Sequence, residues 1–232
     1  MKSPQKITFV VDETIDIDNH FIALQAYKRN AERGFKHPKN ERFEKWSSLE
    51  THEAIRSEIK KEISEYYSKG DYLLSLVQDI NGVWVEIEND FIERLEKIHG
   101  HPFIFPHIKG VLSCAGKFGY NLEQNWFATD MLRNKYIAID TATHELMHFM
   151  FHAYFENTCR NAGLAEHHIW DIKESFTVLL NLECSDLRFR TDMGYPPHAS
   201  LREVIKKSWQ EKPDFNRALE RAIESCKLLT NK

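Results

Sequence analysis

His144 and His148 stand four residues apart, with Glu145 between them, in the run His144-Glu145-Leu146-Met147-His148. On a helix, two imidazoles at that spacing lie one above the other on one face, at a separation suited to a single tetrahedral zinc ion. Glu145 is one step round the helix. From there its carboxylate reaches a water beside the ion more readily than the ion itself, so the pattern predicts a general base next to an activated water. The alternative is a set of hydrogen-bonded core histidines, His144, His148 and His152, with Glu145 as their partner.

The neighbouring residues bear on that choice. The helix body Glu145 to Phe155 carries Leu146, Met147, Phe149, Met150, Phe151, Ala153, Tyr154 and Phe155, so it is apolar nearly all round and belongs inside a core. Unpaired imidazoles and a carboxylate are costly to bury there, and a bound cation meets that cost. His152 extends the same face by a turn, but three ligands along one straight helix span about 12 Å, too far for bonds of about 2 Å. The third ligand is therefore expected from another element. A metzincin arrangement needs a histidine six residues after the second one; position 154 is Tyr, which excludes it. The gluzincin arrangement asks instead for a Glu from a following helix, and a second apolar helix is predicted over Glu166 to Leu182.

Within that helix, Trp170-Asp171-Ile172-Lys173-Glu174-Ser175-Phe176-Thr177 resembles the W-x-x-N-E-G-F-A signature of the aminopeptidase branch of the gluzincin zinc metallopeptidases. The resemblance covers Thr141 to Asn181. It implies His144, His148 and Glu174 as the metal ligands, Glu145 as the general base, and Zn2+ as the cofactor. Trp170, Val178 and Asn181 share the face of Glu174, and Ile169, Phe176 and Leu180 surround it, which argues against a solvated carboxylate. Its rivals are Glu166, His167, His168, Asp171 and Glu183. The chain departs from the family pattern at Lys173 for Asn, Ser175 for Gly, and Val178 where thermolysin-like members carry an Asp that supports a ligand. No Gly-x-Met-Glu-Asn exopeptidase loop stands upstream, which favours a minimal endopeptidase-like scaffold. For an oxyanion-stabilising group, Tyr195, His198, Tyr120, Tyr136 and Tyr154 all remain open.

The elements that must position these residues are read from hydrophobic periodicity. Ile7 to Val11 predicts an opening strand, and Phe21 to Tyr67 predicts two or more charged helices broken near His37-Pro38. Tyr72 to Ile80 and Phe91 to Ile98 predict two short amphipathic helices, with Asn81 to Ile87 as a possible strand between them. Phe103 to Tyr120 suits one or two extended segments; Val111 to Tyr120 is either an edge strand able to hold an extended peptide or an ordinary internal strand. Tyr136 to Asp140 reads as a strand or extended lead-in, with Asp140 or Thr141 capping the motif helix. A break follows at Asn157 to Gly163. A turn at Gly194-Tyr195-Pro196-Pro197 and charged helices from Ser200 to Leu229 complete the chain.

The chain has 232 residues, 42% of them hydrophobic and 28% charged, enough for a substantial core. Its formal charge of −4 is interleaved along the sequence, so neither nucleic acid nor an anionic membrane surface is expected as a partner. Cys114, Cys159, Cys184 and Cys226 form no C-x-x-C pair and read as free buried thiols. The apolar run near the N-terminus is too short for a signal segment and no stretch reaches membrane-spanning length, so a cytoplasmic setting is expected.

The expected fold is α+β and zincin-like: a single domain over residues 1–232, mostly helical, with a small mixed sheet, the motif helix and a second ligand-bearing helix. Residues 1–100 form a charged helical part, about 101–200 the catalytic core, and 200–232 the C-terminal helices. The expected function is zinc-dependent hydrolysis of a peptide or protein substrate. Two other readings are a zincin-fold binding or regulatory module whose metal is not catalytic, and an all-helical interaction protein in which the motif is accidental.

Overall fold

The β-branched run near the N-terminus forms β1 (Ile7–Val10), whose alternate residues Ile7 and Phe9 are buried, the period of two expected of a strand. The description rests on a computed structural model covering residues 6–32, 41–116, 119–132 and 134–230. The charged region that follows is helical as expected: α1 (Glu13–Glu32), α2 (Glu41–Ser47) and α3 (His52–Tyr67). The predicted break at His37-Pro38 lies outside the described residues. Helix α3 starts where the Thr51 hydroxyl accepts from the Ala54 amide, and it buries Ile55, Ile59 and Ile63, one residue per turn.

Helix α4 (Gly70–His99) corrects one expectation, because it runs unbroken through Asn81-Gly82 and leaves no strand at Val83 to Ile87. Its buried residues Leu73, Leu76, Ile80, Trp84, Glu88, Phe91, Leu95 and Ile98 recur every three or four positions. That stripe passes straight through the predicted break, and burial of its large side chains outweighs the helix-weakening cost of one exposed glycine, about 1 kcal/mol.

Strands β2 (Ile108–Ser113), β3 (Tyr120–Asn121) and β4 (Trp126–Asp130) join β1 in a mixed sheet of order β1-β2-β4-β3. β2 runs parallel to β1 and β4, while β3 is antiparallel to β4. β2 is therefore internal, so of the two readings of Val111 to Tyr120 the internal strand holds over Val111 to Ser113. Its residues Ile108 to Val111 pair with β1 and Lys109 to Ser113 with β4. Gly110 lies between aromatic rings: a Cβ there would sit 2.7 Å from Phe9 Cδ1 and 3.0 Å from Phe127 Cζ. Gly110→Ala is accordingly expected to destabilise the protein by about 1–3 kcal/mol, measured as a lower urea midpoint at unchanged slope.

The chain divides into two compact units. One comprises Pro4–Trp84 and Pro106–Ala138 and contains the sheet; the other comprises Val85–Phe105 and Ile139–Lys232 and is helical. In the helical unit the part of α5 (Lys135–Tyr154) from Ile139 onward is followed by α6 (Glu156–Asn161), α7 (Glu166–Phe176), α8 (Val178–Glu183), α9 (Ala199–Glu211) and α10 (Phe215–Thr230). Two expectations are corrected here. Tyr136 to Asp140 is the first turn and a half of α5, with the Asn134 side chain accepting from the amides of Tyr136 and Ile137, so the cap lies six residues before Asp140. The predicted helix Glu166 to Leu182 is interrupted at Thr177, which ends α7 and starts α8.

Aromatic stacking fixes the helices that matter for chemistry. The Phe215 ring of α10 stacks at 4.2 Å between centroids on both Phe155, just past α5, and Phe176 of α7. Among the described residues no helix is long and apolar enough to cross a membrane.

Candidate metal centre

α5 and α7 bring the predicted ligands together within the helical unit. Both helices are mostly buried here: Leu146, Met147, Phe149, Met150 and Phe151 on α5, and Ile169, Ile172 and Phe176 on α7. His148 and Glu174 share that burial, whereas the His144 side chain is 24% exposed and marks the open side. The Nε2 atoms of His144 and His148 are 2.9 Å apart. Glu174 Oε2 stands 3.5 Å from His144 Nε2, and Glu174 Oε1 stands 3.4 Å from His148 Nε2. One ligand atom from each of the three residues falls within 4.8 Å of the others. Atoms bonded at 2.0–2.1 Å to a tetrahedral ion are separated by about 3.4 Å, so the three groups fit a single ion with little rearrangement. His144, His148 and Glu174 could therefore hold a metal.

Asp192 is the residue that sequence reasoning missed. His144 Nδ1 donates to Asp192 Oδ2 at 2.8 Å, which turns Nε2 toward the centre as the atom that would bind a metal once it has lost its proton. Asp192 is itself held tightly. Its amide donates to Asn181 Oδ1 and its carbonyl accepts from Asn181 Nδ2, each at 2.8 Å, while Arg202 reaches its carbonyl at 2.7 Å and its carboxylate at 3.1 Å. Thr177 Oγ1 lies 3.0 Å from the same carboxylate and accepts from Arg202 Nη1 at 2.8 Å, which ties the α7–α8 interruption to the centre. Gly194, at φ +62°, lets the chain turn against Arg202, where a Cβ would meet Nη1 at 2.7 Å.

The electrostatics follow from burial and close charges. His144 would be lowered by burial, but its bonds to Asp192 and Glu174 prevail and raise it to about 10. His148 is pushed down to about 3, first by burial and then by the Lys173 charge, and stays neutral. Burial works against the carboxylates too, yet the Lys173 charge and the bond from His144 hold Glu174 well below its ordinary range, and the bond from His144 brings Asp192 down to about 2. Glu145 is different: burial raises it to about 7, only partly offset by His144 and Lys173, and its Oε2 has no hydrogen-bond partner among the described residues. A carboxyl poised near neutrality is suited to proton transfer.

The departure at position 173 has a structural consequence. Lys173 is buried and its Nζ lies 2.9 Å from Glu174 Oε1, so an ammonium shares one ligand carboxylate. The rivals of Glu174 are engaged elsewhere: Glu166 pairs with Arg160, His167 packs on His168, Asp171 accepts from His198, and Glu183 accepts from Trp209. His152 pairs with Glu156 at 2.6 Å. Among the open candidates for oxyanion stabilisation, Tyr154 donates to the Pro102 carbonyl and His198 is bound to Asp171, while Tyr120 and Tyr136 belong to the other unit. Tyr195, though 52% exposed, is pushed up to about 12 by partial desolvation and then by the charges of Glu174 and Glu145. No protein-family model, no curated protein and no solved structure matches this chain.

Proposed function

We propose that the protein is a zinc-dependent metallopeptidase of gluzincin type, with a zincin-like helical unit. The observation that carries this reading is the convergence of His144 Nε2, His148 Nε2 and the Glu174 carboxylate on one point, with Asp192 orienting His144 from behind. Bound zinc would polarise a substrate carbonyl and lower the pKa of its water to about 7. Glu145 accepts the proton of the attacking water and passes it to the leaving amine. Neutral His148 offers its lone pair without first losing a proton, and Asp192 fixes the tautomer of His144. The substrate is a peptide or protein. A reducing, cytoplasmic setting belongs to this reading, supported by four cysteines that are buried and free.

A second reading is favoured by Lys173. Because its ammonium already occupies one oxygen of Glu174, a bound metal in this reading is inert toward hydrolysis and the unit serves as a binding or regulatory module. Elemental analysis of the purified protein tests the centre common to both readings. One equivalent of zinc in the parent, mostly lost in Glu174→Ala, is the expected result; a folded parent without metal would defeat both.

A further inference from the structure

Lys173 and Glu174 are consecutive on α7, so their side chains leave the helix about 100° apart, and neighbours in that relation do not ordinarily face each other. Here their ends meet. Lys173 Nζ stands 2.9 Å from Glu174 Oε1, closer than His148 Nε2 at 3.4 Å from the same atom or His144 Nε2 at 3.5 Å from Oε2. The lysine side chain is 4% exposed, although a four-carbon stem ordinarily carries its ammonium out to water. Its charge acts on Glu145, His148 and Tyr195 as well as on Glu174, which places Nζ on the side of the metal centre. Burying an ammonium is costly, and a lysine bent inward at that cost is held by what it meets there.

The two oxygens of Glu174 therefore have different surroundings. A carboxylate can bind an ion through one oxygen or through both. With two imidazoles, a second oxygen would bring the protein donors to four and close the site, whereas a hydrolytic centre keeps one position open for water. An ammonium hydrogen-bonded to Oε1 in a buried setting is a strong competitor for that atom, because the bond is charge-assisted and little screened. Oε2 has no such neighbour at that distance; its close contact is His144 Nε2, another of the three groups that could hold the metal.

We propose that Lys173 is a positioning residue: by holding Oε1 it limits Glu174 to one metal-binding oxygen, Oε2, and keeps a coordination position free for water. The inference rests on the hydrolytic reading above and gives the lysine a part in it.

The test is cobalt substitution, since Co2+ accepts the same imidazole and carboxylate donors and its visible band is intense when four ligands surround it and weaker when a fifth joins. The metal-free full chain is titrated with Co2+ as the parent, as Lys173→Met and as Lys173→Arg. The parent and Lys173→Arg are expected to bind one equivalent with an intense four-coordinate band. Lys173→Met, whose side chain has similar length and no charge, is expected to lose much of that intensity, because Oε1 is released to join the ion. A lysine that served only as a counter-ion would let a folded Lys173→Met bind Co2+ more tightly with the spectrum of the parent, and that result overturns the proposal. A five-coordinate spectrum in the parent overturns it as well, without any variant, so the test stays decisive should Lys173→Met fail to fold. A folded parent that takes up no Co2+ defeats the metal centre itself, which separates failure of that reading from failure of this one.

Discussion

Replacing Glu145 by Gln is expected to lower peptide hydrolysis by about 10²- to 10⁴-fold while leaving the bound metal at the level of the parent protein. The substitution is close to isosteric, so the packing around this buried position on α5 is preserved. What disappears is the ability to accept a proton. Glu145 stands next to His144, its Oε2 has no hydrogen-bond partner among the described residues, and burial raises its carboxyl to about 7, so it can take a proton and return it. No other carboxylate at the centre shares these properties: Glu174 is held ionised by Lys173 and His144, and Asp192 by His144. Steady-state cleavage of a fluorogenic peptide library, with zinc content measured on the same samples, makes the comparison. Full metal in both proteins with no cleavage by the parent would favour the regulatory reading, in which Lys173 already occupies part of the ligand set. Equal cleavage by both would remove Glu145 from the mechanism.

How much was legible beforehand depended on how far each feature reached along the chain. Local periodicity gave β1 and α3 correctly, because Ile7 and Phe9 alternate and Ile55, Ile59 and Ile63 repeat once per turn. The same local view split α4 at Asn81-Gly82, where a turn dipeptide inside a helix was outweighed by a buried stripe extending well beyond it. Tyr136 to Asp140 reads as a strand or extended lead-in in that view, although Asn134 caps a helix there. His144, Glu145 and His148 were readable from spacing, and Glu174 from its motif and apolar neighbours, since each is defined within a few residues. Asp192 was not readable. It meets His144 across 48 positions, from a loop with no periodic signal, and its importance comes from Asn181, Thr177 and Arg202, which only folding gathers round it.

Asp192→Asn is expected to weaken metal affinity by about 10- to 100-fold. In the parent, a full negative charge at 2.8 Å from Nδ1 favours electron density on the imidazole and fixes its orientation, which strengthens Nε2 as a ligand. Asparagine retains the shape and can still accept from Nδ1, but it withdraws the charge. The main-chain bonds from Asn181 and Arg202 to residue 192 do not depend on that charge, so the loop should keep its place. Removing the carboxylate also leaves Arg202 with a single uncharged partner at this residue and Arg188 nearer to an uncompensated charge, so a stability loss of about 1–3 kcal/mol is expected beside the loss of affinity. Competition against a chromophoric chelator gives the affinity, and urea unfolding of the metal-free proteins gives the stability. If the affinity falls while the variant remains folded, the carboxylate acts on the metal through His144. If only the stability falls, Asp192 is a staple for the loop between α8 and α9, and the strength of the centre comes from His144, His148 and Glu174 alone.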